Sequence, residues 1–157
     1  MKAISMKSVV AISTLLLASM VGALAQDVKL PPVTRTTLSN GIKLVLMEYH
    51  RAPTLVVNVS FPGGDATDPA DKAGTSSIMA TLLRKGTEKH NAQQLAEEID
   101  FLGASLGAST GEDRTSVNLD ILSKDTDAGL GLLTEFLRTP TFPTEELERE
   151  RTLIANS

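Results

Sequence analysis

The chain contains no cysteine and no tryptophan, one tyrosine and four phenylalanines. Without thiols it cannot be stapled by disulfides, cannot build a cysteine-ligated zinc site and has no thiol nucleophile. With aromatics at 3%, the core has to be made from Leu, Ile, Val, Ala and Met, and little is left for stacking bases or sugars. Histidine is scarce too. His50 and His90 are the two in the chain, neither has a partner at metal-ligand spacing, and each reads as an exposed polar residue. Acidic residues outnumber basic ones by 19 to 15, and the net charge of −4 is a poor electrostatic match to nucleic acid or an anionic membrane. The longest apolar stretch falls short of a comfortable bilayer span of ~20 residues.

That stretch has the layout of a secretory signal over residues 1–25. Lys2 and Lys7 give a basic start, Val9 to Leu17 an apolar centre, and Ala23-Leu24-Ala25 a small-x-small cleavage site. It predicts a secreted protein, or a periplasmic one in a Gram-negative source, with membrane attachment only if the signal stays uncleaved. Cleavage after Ala25 removes two lysines and no acid, leaving 13 basic residues against 19 acidic and a net charge of −6. At 41% hydrophobic and 22% charged, the chain as a whole has the composition of one globular domain or less.

Residues 26–37 carry Pro31-Pro32 and no apolar period, which predicts an extended lead-in. Ser39-Asn40-Gly41 is a turn signal. Ile42 to Tyr49 and Thr54 to Phe61 both read as strands, and the short connection between them predicts an antiparallel pair. Asp65, Asp68 and Asp71 lie in a polar loop. Calcium would need a denser ligand set with a closing Glu, so they read as helix-capping carboxylates. Ala73 to Arg84 reads as a helix with Ile78, Met79, Leu82 and Leu83 inside and Gly86 at its end. Asn91, with Gln94 three residues on, caps a second helix that buries Leu95, Ile99 and Leu102 and stops at Gly103. Ala104 to Thr110, a turn at 111–113 and Thr115 to Leu122 form a hairpin with one polar face. Lys124 to Arg138 is helical with Leu130, Leu133 and Leu137 on one side, and a charged helix follows from Glu145. Its run of Glu145, Glu146, Glu148, Arg149, Glu150 and Arg151 reads as a solvated face with i,i+4 pairs such as Glu145–Arg149. The order ββααββαα predicts an α+β fold, an antiparallel sheet covered by helices. The last helix has begun a new apolar turn at Leu153-Ile154 when the sequence stops, which predicts a domain over 38–157 that is incomplete at its C-terminus.

Four segments then resemble the N-terminal domain of the pitrilysin/insulinase family of zinc metallopeptidases: LSNGIKL (38–44), GTSSIMATLLRKGT (74–87), IDFLGASLGAST (99–110) and PTFPTEELERER (140–151). They stand in family order at family spacing. The resemblance implies an inverzincin, in which a His-x-x-Glu-His helix gives zinc two imidazoles and the Glu activates water. In that register the motif positions hold Ser77, Ala80 and Thr81, and the family's further glutamate ligand falls on Ser157, so no catalytic or metal-binding residue is implied in this chain. Hydroxyls are weak, neutral zinc ligands, and Ala80 cannot take a proton. Ser77 as a nucleophile lacks a visible base and oxyanion hole.

Motif-less copies occur in this family as partners of zinc-bearing ones. The resemblance therefore implies a non-catalytic subunit that pairs with a zinc peptidase and helps to hold extended peptides, the zinc residing in the partner. A substrate strand in such enzymes adds to a sheet edge, and the matching segment here is Gly103, Ala104, Ser105, Leu106, Gly107, Ala108, Ser109 and Thr110. Packing under a helix explains the same small residues without a substrate. Two other readings stay open: a stand-alone binding or scaffold domain, and a non-functional fragment.

Overall fold

The computed structural model describes residues 31–155. The expected signal at 1–25, the first residues of the expected lead-in and Ser157 lie outside the described residues. The chain divides into two compact units, one ending at His50 and the other running from Arg51.

The first unit holds a hairpin of β1 (Val33–Thr37) and β2 (Lys43–Met47), antiparallel with Val33 opposite Met47 and Thr37 opposite Lys43. The turn forms at the Asn-Gly signal. Gly41 takes φ +87° and its N–H donates to the Leu38 carbonyl at 2.9 Å, while Asn40 Oδ1 accepts the Ile42 N–H at 3.2 Å. The expected lead-in is thus corrected in part: its last five residues are a paired strand. Four of those five, in the run VTRTT, are β-branched, and such side chains favour a pleated backbone even without apolar alternation.

The second unit contains β3 (Thr54–Pro62), α1 (Thr75–Leu82), α2 (Ala92–Phe101), β4 (Ser105–Thr110), β5 (Arg114–Leu122), α3 (Thr126–Arg138) and α4 (Thr144–Ala155). Its sheet has the order β3-β5-β4, antiparallel throughout, with Thr54 opposite Leu122 and Ser105 opposite Asp120. Within their own units β2 pairs with β1 and β3 with β5. β3 lies along β5 over nine paired positions. The β4–β5 hairpin turns at 111–113 as expected.

The core lies on one face of this sheet. Val117, Leu119 and Ile121 of β5 are almost fully buried, and Leu106 of β4 is 3% exposed. Leu83, Leu95, Ile99, Leu132, Leu133 and Phe136 cover them from the helical side, with Leu55, Val57 and Val59 of β3 packed at the margin. On the opposite face Asn58 donates a side-chain hydrogen bond to Asn118. An α+β fold with helices layered on an antiparallel sheet is the observed architecture.

Local chemistry sets the element boundaries. Asn91 Oδ1 accepts the Gln94 N–H at 2.9 Å and Gln94 Oε1 accepts the Asn91 N–H at 3.0 Å, a complete capping box. At the other end of α2, Gly103 at φ +58° donates to Asp100 and Ala104 donates to Ile99, both at 3.0 Å, which is a Schellman closure. The buried stripe of α3 differs from the expected one. Leu130 is 40% exposed, while Gly129, Leu132, Leu133 and Phe136 face the core. Gly129 hides this stripe in the sequence because it has no apolar side chain, yet its bareness lets the helix settle onto Ile121.

Candidate functional site

Helix α1 carries the three positions that the resemblance singles out. It starts at Gly74, which takes φ +88° and has no side chain with which to cap. Asp68 supplies the cap from the preceding loop. Its carboxylate accepts the Gly74 N–H at 2.9 Å, the Ser76 N–H at 3.1 Å and the Ser76 hydroxyl at 2.6 Å. The Ser76 hydroxyl, and behind it the backbone N–H groups of Ser76, Gly74 and Thr75, hold the Asp68 carboxyl below its ordinary range against the opposing effect of burial. Asp65 accepts the Ser77 hydroxyl at 3.1 Å, so two of the three loop aspartates serve the helix start, where negative charge is favoured.

Ser77, Ala80 and Thr81 do not fit zinc. The Ser77 hydroxyl is tied to Asp65, the Thr81 hydroxyl donates to the Ser77 carbonyl at 3.1 Å, and Ala80 is 4% exposed with no donor atom in its side chain. Zinc sites are built from thiolate, imidazole and carboxylate, and among the described residues no cluster of three or more such side chains is placed to hold a metal ion.

Strand β4, with Ser105 to Thr110 of the candidate substrate segment, lies at an edge of its sheet among the described residues. Gly103 and Ala104 belong instead to the cap of α2. Small side chains let α1 lie across β4, and the Thr110 hydroxyl donates to the Ser76 carbonyl at 3.2 Å. A Cβ at Gly107 would meet nothing within 4 Å.

Two polar assemblies near α1 were not legible in the sequence. Lys85, just beyond the helix, pairs with Glu146 at 3.1 Å and Glu150 at 3.3 Å. The Glu146 hydrogen bond, opposed by burial and supported by Glu150, raises the Lys85 ammonium above its ordinary pKa. The charged run of α4 is therefore solvated only in part. Its Glu145–Arg149 pair forms as expected at 3.8 Å, but Glu146 and Glu150 turn inward. The second assembly corrects the reading of His90. His90 Nδ1 lies 2.7 Å from Glu135 Oε1, with its side chain 31% exposed, and the buried Thr87 hydroxyl donates to the same carboxylate. Burial pulls the Glu135 carboxyl upward, but the Thr87 and His90 hydrogen bonds and the His90 and Lys89 charges outweigh it and hold it below its ordinary value. A carboxylate inside the apolar stripe of α3 is the one sequence signal for this network. His50 is exposed and pairs with Glu48 at 3.4 Å.

Comparison with known proteins adds a family. Residues 43–157 match the model of "Insulinase (Peptidase family M16)". A probable mitochondrial-processing peptidase subunit beta from Arabidopsis thaliana is 29% identical over 78% of this chain and 23% of that protein. The mitochondrial-processing peptidase subunit beta of Bos taurus is 32% identical over 84% of this chain and 27% of that protein. The chain thus spans about a quarter of these relatives' length. Among solved structures, a peptidase M16 inactive domain from Pseudomonas fluorescens has a TM-score of 0.73 at 24% identity, over 77% of this chain and 30% of that one. Pitrilysin has a TM-score of 0.67 at 25% identity, over 80% of this chain and 13% of that one.

Proposed function

The chain belongs to the insulinase family, peptidase family M16, and from that premise we propose that it is a non-catalytic member that pairs with a zinc-bearing homologue in peptide proteolysis. The observation that carries this reading is α1 itself: the positions of the two imidazoles and the general base hold Ser77, Ala80 and Thr81, and their hydroxyls are engaged within the protein or with Asp65. With alanine where the family's general base stands, water activation falls to the partner, which holds the zinc. This chain contributes walls and orientation. A peptide laid along the edge of β4 gains main-chain hydrogen bonds there and is held for attack by the partner's metal centre. Relatives named as beta subunits support a paired assembly, and the basic-apolar-small order of residues 1–25 supports export of the pair.

Metal analysis and peptidase assay of the full protein test the first half of the proposal. The purified protein is expected to carry no stoichiometric zinc after dialysis against zinc-free buffer and to leave peptide substrates uncut. Stoichiometric zinc together with turnover by this protein alone overturns it.

A further inference from the structure

Beside the three motif positions lies a cavity of about 430 Å³, lined by Ala80, Thr81, Arg84, Lys85, Ala92 and Ala108. Its volume is within the ~300–1,000 Å³ of small-molecule sites. Its walls come from the end of α1, the start of α2 and the edge strand β4. Two features of the lining point to one ligand chemistry. It contains two cations and no carboxylate. And the two cations are unequal: Lys85 is already neutralised by Glu146 and Glu150 at 3.1 and 3.3 Å, whereas Arg84 is exposed and has no ion-pair or hydrogen-bond partner among the described residues.

We propose that this cavity binds a carboxylate of an extended peptide lying on β4, with the Arg84 guanidinium as its anchor. The inference rests on the reading of β4 as a peptide-binding edge and gives it a specificity. The small side chains Ala80, Ala92 and Ala108 leave room for an acidic group to enter, and a guanidinium presents a planar fork that pairs with a carboxylate through two parallel hydrogen bonds. An acid at position 80 would repel such a group; alanine there does not. The carboxylate can come from an Asp or Glu side chain or from the C-terminus of the peptide.

The test is a binding titration on the full protein with three fluorescein-labelled peptides of one sequence. One has a central Glu and an amidated end, one has Gln with an amidated end, and one has Gln with a free C-terminal carboxylate. At least one carboxylate peptide is expected to bind about tenfold or more tightly than the neutral one, the scale of one hydrogen bond to a charged group. Which of the two does so identifies the source. Arg84→Gln is expected to abolish the difference, and Arg84→Lys to restore it in part. As Arg84 is exposed, neither variant should alter the unfolding midpoint. Equal binding of all three peptides overturns the carboxylate site and leaves the β4 reading standing. A preference that survives Arg84→Gln overturns the anchor. Absence of binding by every peptide overturns the β4 reading and this inference with it.

Discussion

Single side chains carry more of this fold's local stability than the composition suggests, and two carboxylates can be tested one at a time. Asp68 substitutes for the side chain that Gly74 lacks, accepting two backbone N–H groups and a hydroxyl at the start of α1. Its folded-state pKa is depressed, so its contribution is complete above the ordinary aspartate value and is lost as pH falls through the folded value. Asp68→Ala is therefore expected to lower the urea midpoint at neutral pH, with the gap from the parent closing below pH 3.8. A gap that does not change with pH contradicts the assignment. Glu135 is the buried case. Removing it as Glu135→Ala takes the carboxylate acceptor from the buried Thr87 hydroxyl and leaves only the longer bond to the His90 carbonyl at 3.3 Å, at a cost of about 1–3 kcal/mol, whereas Glu135→Gln keeps an acceptor oxygen and should lose less. Equal losses in the two variants would contradict the network. The register that assigns Ser77, Ala80 and Thr81 to the motif positions needs only local spacing. The partners of Glu135 could not, since they lie 45 and 48 positions away and no local pattern links them.

Elements were legible where their signals are local. The capping box at Asn91, the glycine stop at Gly103 and the turn at 111–113 each depend on neighbours within a few residues, and each forms where expected. Strand pairing depends on distant partners, which is why β1 and the β3–β5 ladder escaped a reading by adjacency. The stripe of α3 escaped for a different reason: at Gly129 the core contact is made by backbone. A Cβ at that position would lie 2.7 Å from Ile121 Cδ1 and 3.2 Å from its Cγ2, while one at Gly131 would meet nothing within 4 Å. The two glycines make a matched experiment. Gly131→Ala is expected to stabilise the protein by about 0.8–1 kcal/mol through helix propensity. Gly129→Ala should lose that gain to overpacking of the buried Ile121 and end destabilised by about 1 kcal/mol, both read from chemical denaturation. Similar gains at both positions would contradict the close approach. For β4, hydrogen exchange of its amides should slow when a bound peptide pairs with its open edge; unchanged exchange under saturating peptide argues against strand addition.

At the scale of the molecule, the sheet and its helical cover are those of a domain of the insulinase family, and the register proposed for α1 puts Ser77, Ala80 and Thr81 at the motif positions. On the proposed reading the metal for proteolysis comes from a partner, and this chain contributes a binding surface beside α1. The measurement that bears most directly on this is a titration of the full protein into a zinc-bearing homologue that carries an intact His-x-x-Glu-His helix, followed by peptide turnover. Turnover should rise with added protein and saturate at a fixed ratio of the two chains, with no activity from this chain alone. Turnover that stays at the homologue's own level across the titration, with no complex formed, would contradict the account and leave a stand-alone binding domain in its place.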